Sequence, residues 1–345
     1  MTASKKMKCC CAGIALGSAV FVTGCGWFGP TFKLTCRVAF PASHPQFRLA
    51  SDWADEIKRR THGHVRITVS SDETLGKADA CYAGVVSDAF DIGSGPLPVA
   101  SGRFPLLSGL TLPLGCPNGE SATRMANALF AKYRPVECGD VKMLYLHASG
   151  PTVLAARMPV LGMAGMKGLK VWTPECGEKV VEALGAFPIV GEDAYGAMRE
   201  RTANAVFCPL EAFKTKKLAD VVNCVTDTKV IGGSAVFFVA MNKEKWAALP
   251  PDIQKSIETV SGEWVARHGQ AWGKADGEGF AALKAQKRDV LALPTFEMPL
   301  WTEKVAPLLQ DYAANADKKG LPGSAFLEDL KKSVIQARAD LKASR

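Results

Sequence analysis

From residue 33 onward, apolar positions recur with two different periods, and the switches between them lay out the elements of the chain. Lys33 to Phe40 reads as a first strand. Phe47, Ala50, Trp53, Ala54 and Ile57 then fall at helical spacing, which predicts an amphipathic helix over Ser51 to Arg60. Gly63 stands near the position where such a helix ends. His64 to Val69 alternates as a second strand, and a third short strand is expected near Ala89 to Gly93. A second unit begins near Gly150. It holds a strand at Gly168 to Trp172, a helix at Glu178 to Leu184 stopped by Gly185, a helix at Ala194 to Arg201 and a strand at Asn204 to Phe207. Ser234 to Met241 is apolar throughout, as in a strand covered on both faces. Pro250 and Pro251 then open a helix. Its pattern persists to about Lys287 through Gly262, Gly269, Gly273, Gly277 and Gly279. At about 50 Å, such a helix must bridge more than one unit. Two further helices, at about 301–317 and 325–342, close the chain. Strands alternating with helices in two units predict α/β architecture with mainly parallel sheets.

The length of 345 residues suits two domains. A hydrophobic share of 48% with 22% charged residues excludes disorder as the main state. The extreme N-terminus stands apart. Lys5, Lys6 and Lys8 precede an apolar or small stretch from Cys9 to Val22, the pattern of an export signal. Val22-Thr23-Gly24-Cys25 resembles a bacterial lipobox, which implies cleavage before Cys25 and acylation of that residue. Residues 1–24 are thus expected to be a lipoprotein signal peptide and 25–32 a tether. The acyl chains would anchor the protein to the membrane on the periplasmic side. The formal net charge of +8 falls to +5 without the three signal lysines. No basic stripe with interleaved aromatics marks a nucleic-acid face. Seven cysteines lie beyond Cys25, an odd number without CxxC or CxxH spacing, so small buried packing roles are expected for most.

Six segments in order resemble one known family. Gly63-His-Val-Arg-Ile-Thr-Val with Thr74-Leu-Gly76, then Val85 to Ile92, form the opening. Phe104-Pro105 with Leu112-Pro113 and Gly165-Met-Lys-Gly-Leu-Lys-Val follow. Leu184 to Pro188 with Tyr195-Gly-Ala-Met198, and Trp246 to Gln254, complete the set. These resemble the extracytoplasmic substrate-binding subunits of TRAP transporters, the DctP-like proteins, over about residues 33–315. The resemblance implies a two-lobed periplasmic binding protein fold with an interlobe cleft and a long helix spanning both lobes. Lobe I would comprise 33–149 plus about 234–275, lobe II 150–233 plus about 276–320, with 321–345 a C-terminal helix. It also implies a small-molecule ligand, small and large membrane subunits as partners, and for some relatives a helical-repeat lipoprotein. A monomer is expected, with no enzymatic activity and no cofactor.

The same resemblance locates the candidate site. In most of the family an arginine ends the strand matched here by Gly168 to Trp172 and pairs with a substrate carboxylate; Trp172 stands in its place. Other pocket positions fall at Ala39 with Phe40, Pro96 with Leu97, Thr152 and Cys208, while Tyr195, Phe237 and Phe238 add aromatic surface. These changes remove charge and add rings, and a buried carboxylate without a cation is costly. The expected ligand is therefore neutral or hydrophobic. The alternative is a carboxylate held by a relocated cation, with Arg103 the first candidate and Arg157, Lys170 and Arg199 behind it. A receptor or scaffold role without transport is a further alternative. No Cys or carboxylate cluster sits near His62 and His64 in sequence, so no metal site is expected, and no GxSxG, GxxxxGK[ST] or HExxH motif occurs.

Overall fold

The computed structural model describes residues 30–343 apart from 77–78, 99–101 and 192. Among them the strands are β1 (Phe32–Val38), β2 (Val65–Ser71), β3 (Ile92–Pro96), β4 (Val141–Ala148), β5 (Thr152–Ala156), β6 (Lys170–Trp172), β7 (Phe187–Ile189), β8 (Ala205–Pro209), β9 (Cys224–Asp227), β10 (Val236–Asn242) and β11 (Asp289–Ala292). They form two sheets, ordered β2-β1-β3-β10-β4 and β11-β9-β5-β8-β6-β7. The helices are α1 (Pro45–Arg60), α2 (Ala80–Val86), α3 (Gly119–Tyr133), α4 (Glu178–Ala183), α5 (Ala194–Arg199), α6 (Ala212–Thr215), α7 (Lys243–Ala247), α8 (Pro251–Ala285), α9 (Glu297–Lys318) and α10 (Gly323–Ala343).

Both sheets are mixed, where mainly parallel sheets were expected. β1 pairs in parallel with β2 and β3, but β10 runs antiparallel to β3 and β4. In the second sheet β5 runs antiparallel to both β8 and β9. The cause is the chain path. β10 returns to the first sheet from the second, so no crossover helix within one sheet sets its direction. The apolar run read as a doubly covered strand is β10. Phe238 and Ala240 enter one core layer and Val239 and Met241 the layer on the opposite face. β8 is covered the same way, with Val206 on one side and Ala205 and Phe207 on the other.

Helix α1 shows its sequence logic openly. His44 caps it by accepting the Gln46 N–H on Nδ1, and Pro45 occupies the first turn. Lys58, Arg59 and Arg60 face the negative end of its dipole. His62 and Gly63 then take positive φ, and the Gly63 N–H reaches back to the Lys58 carbonyl at 2.8 Å. Helix α3 was not foreseen. Its buried face carries Ala122, Met125, Ala126 and Leu129 at helical spacing beside Gly119, Ser121 and Thr123. β4, β5, β9 and β11 were also unread.

Helix α8 runs for 35 residues and crosses from one sheet to the other. One of its faces carries Trp264, His268, Trp272, Asp276, Gly279 and Leu283 in succession. Trp264 lies in the core of the first lobe and Leu283 in that of the second. Gly279 lets the helix press on the backbone at Leu210, where a Cβ would lie 2.6 Å from the carbonyl carbon. Helix α10 packs on α3 and α9, with Phe326 against Tyr133 and Tyr312.

Candidate ligand-binding cleft

The chain crosses between the sheets at 149–152 and again at 233–235, side by side. The Ser149 N–H donates to the Ala235 carbonyl at 2.9 Å and the Thr152 N–H to the Gly233 carbonyl at 3.0 Å. On the lobe I side of this crossing stands a wall of rings. Phe40, just past β1, stacks on His44 at 4.5 Å and lies 4.9 Å from Phe237. Phe237 stacks on His147 at 5.1 Å and on Trp272 at 5.4 Å. The pairing of β10 with β4 explains the meeting, since Phe237 stands directly opposite His147 in the ladder. Phe40 and Phe237 are half-buried, so the wall keeps an open side.

Two carboxylates border this wall from the other side. Glu211, just after β8, approaches His44 Nε2 at 3.7 Å across the lobe boundary. Asp276 on α8 accepts the Glu211 backbone N–H at 3.0 Å and packs on Gly150 at the crossing. Burial pushes the Asp276 carboxyl up to about 7, and the neighbouring Glu211 charge adds to that; the Glu211 N–H and Lys229 oppose it. Lys229 itself lies 3.7 Å from Asp227.

The other residues selected from the sequence fall in several places. Ala39 donates its N–H to the Ser94 carbonyl at 2.8 Å beside the wall, and Pro96 pairs with Phe237 at the end of β3. Thr152 is buried at the crossing, and its hydroxyl has no hydrogen-bond partner among the described residues. Leu97 and Phe238 turn inward. Phe238 meets Tyr82 edge-on at 5.4 Å on the opposite face of the sheet from Phe237, as strand alternation requires. Trp172, Tyr195 and Cys208 belong to the packing of lobe II. The Trp172 indole N–H donates to the Gly191 carbonyl at 3.1 Å. Trp172 pairs with Val206, three residues short of Pro209, which stands opposite Thr152 at the crossing. Burial raises the Cys208 thiol well above its ordinary value, so it is no thiolate nucleophile.

The four cations considered for a relocated clamp all lie elsewhere. Arg103 pairs with Asp140 and lies 4.6 Å over the Tyr82 ring. Asp140 precedes β4, at the opposite end of the sheet from His147. Arg157 donates to the Met198 carbonyl. Lys170 is exposed at the start of β6, and Arg199 lies 3.6 Å from Glu200. Sequence reasoning missed His44, His147, Trp272, Glu211 and Asp276. The spacing of Trp264, His268, Trp272 and Asp276 by four residues was the available signal, since it marks one helix face that changes from apolar to polar.

Two mixed sheets, joined by adjacent crossings and a long helix, with a ring-lined cleft between them, define a two-lobed solute-binding protein. The chain matches the profile of the DctP family, described as bacterial extracellular solute-binding protein, family 7, over residues 37–315, and it belongs to that family. It is 27% identical over 291 residues to the outer membrane transporter protein TsaT of Comamonas testosteroni, covering 81% of this chain and 85% of the relative. It is 23% identical over 264 residues to the 2,3-diketo-L-gulonate-binding periplasmic protein YiaO of Escherichia coli, covering 71% and 77%. Its fold matches a TRAP periplasmic solute-binding protein of Desulfovibrio salexigens with a TM-score of 0.81, at 27% identity, over 88% of this chain and 96% of that one. A TRAP solute-binding protein of Rhodoferax ferrireducens, crystallised with copurified benzoate, matches with a TM-score of 0.81 at 23% identity, over 90% and 100%. The chain is thus an extracytoplasmic ligand-binding subunit of a TRAP transporter, a receptor and not an enzyme. The lipobox at Cys25 lies outside the described residues.

Proposed function

We propose that this subunit captures a neutral or hydrophobic solute and not a carboxylate. The observation that carries the reading is the charge of the cleft. Glu211 and Asp276 border the ring wall, whereas Arg103, Arg157, Lys170 and Arg199 are held away from it. A carboxylate entering here would meet the Glu211 carboxylate and a half-protonated Asp276, and no bidentate partner among the described residues. Rings such as Phe40, Phe237 and Trp272 instead favour an apolar body. The relatives crystallised with benzoate or other acids speak for the alternative ligand class, and the two readings separate cleanly. Mass spectrometry of whatever leaves the purified protein on denaturation in organic solvent tests them. An apolar or uncharged molecule in stoichiometric amount supports the reading; a small carboxylate overturns it.

We further propose that Cys25 carries the lipid anchor, and that lobe I comprises 33–149 with 234–275 and lobe II 150–233 with 276–320. The assignment of each strand to one sheet and the crossings near 150 and 233 support these boundaries. Closure of the lobes about the crossings would enclose the solute for delivery to small and large membrane subunits. The intact mass of the membrane-extracted protein tests the anchor: a mass of the unmodified chain would rule it out.

A further inference from the structure

Two histidine rings stack at 4.4 Å behind the wall, and they differ in one respect. His268 is satisfied at both nitrogens. Its Nε2 meets the Tyr145 hydroxyl at 3.1 Å, and its Nδ1 bonds the Gln46 side-chain oxygen. His147 is satisfied at one. Trp272 Nε1 donates to His147 Nδ1 at 3.0 Å, and an indole N–H can only donate. His147 Nδ1 is therefore the acceptor, and the proton of the neutral ring sits on Nε2. That N–H is fully buried and has no acceptor among the described residues; the same holds for the side-chain nitrogen of Gln46, one hydrogen bond away through His268. A buried donor left unpaired is costly in a folded protein, so this N–H calls for an acceptor.

We propose that His147 Nε2–H is the polar recognition element of the cleft. It selects a solute bearing an uncharged acceptor, a carbonyl or ether oxygen, whose ring or apolar body lies against Phe40, Phe237 and Trp272. The inference rests on the neutral-ligand reading above and names the polar end of that ligand. Burial drives the His147 ring toward its neutral form, which keeps the proton count at the site fixed across ordinary pH.

Three probes of one ring size test it by calorimetry on the full chain: acetophenone, ethylbenzene and benzoate. Acetophenone is expected to bind about five- to tenfold more tightly than ethylbenzene, and His147→Phe should abolish that preference. In the unaltered protein, 15N-resolved spectra of the imidazoles should show the His147 Nε2 proton moving with acetophenone and standing still with ethylbenzene, a readout that needs no variant to fold. Equal binding of acetophenone and ethylbenzene, with a stationary Nε2 proton, overturns the role of His147 and leaves the neutral-ligand reading standing. Tightest binding of benzoate overturns the neutral-ligand reading itself. Binding of none of the three at millimolar concentration overturns the inference.

Discussion

Phe237 and Trp172 are both aromatic residues on strands that run toward the lobe boundary, and the two lobes use them in opposite ways. Phe237 lies at the crossing end of β10, half-buried, with rings on three sides. Trp172 ends β6 three residues short of the corresponding level, only 4% exposed, with its N–H bonded to a backbone carbonyl. The lobe I face keeps an open ring surface, whereas the Trp172 layer of lobe II is closed packing. What separates recognition from support is thus the length of a strand and the level at which it stops, more than residue type. Trp172 serves lobe II as packing, while the recognition chemistry proposed above would sit on α8, β4 and β10.

The sharpest way to break this comparison is Trp172→Ala. If Trp172 is core, it should cost about 3–5 kcal/mol in denaturant unfolding, against about 1–2 for Phe237→Ala, which removes a half-exposed ring. Similar costs for the two would erase the distinction. Gly279→Ala probes the joint between the lobes. A Cβ there would collide with the Leu210 backbone, so a loss of about 1–3 kcal/mol is expected, and an unchanged midpoint would show that α8 does not bear on lobe II at this point.

Protonation sharpens the contrast. The Asp276 carboxyl is held up to about 7 in the folded protein against an ordinary value of 3.8, so between those values the folded state binds the extra proton. Its contribution to stability is present at low pH and is lost as pH rises through that window. His147 and His268 act in the other direction. Burial holds His268 down at about 3 and His147 well below 6.5, so folding stability falls as the pH drops below 6.5. Asp276→Asn should remove the first dependence and leave the second, read from melting temperature against pH; a profile unchanged by the substitution would overturn the assignment to Asp276. The smallest effect is expected from Arg103→Met. Its ion pair with Asp140 is two-fifths exposed, so stability should change by less than about 1 kcal/mol and ligand affinity not at all. A large loss of affinity would restore the relocated clamp.

The periodicity of the chain revealed α1, the long α8, the doubly covered β10 and the two late helices, because each buries a continuous stripe of apolar side chains that local sequence carries in full. Helix α3 escaped although Ala122, Met125, Ala126 and Leu129 recur at helical spacing on its buried face, a stripe that local sequence did carry. The parallel sheets expected from alternation became mixed, since the direction of β10 depends on where the chain has been in between. The site divides along the same line. Phe40 and Phe237 were legible as aromatics at strand ends, and Phe238 differed from its neighbour only through the alternation of side chains on a strand already placed in register.

By itself, then, the sequence determined the family, the α/β elements and the exported character. All of these are written in local patterns and in the order of motifs. Only the tertiary structure decided that Trp172 is packing, that Arg103 pairs with Asp140, that Gln46 meets His268 and His147 meets Trp272, and that Glu211 meets His44 and Asp276. Those residues lie far apart along the chain. Hydrogen bonding and charge act through space over a few ångströms, so such a constellation exists only once the crossings and α8 have brought the two lobes together.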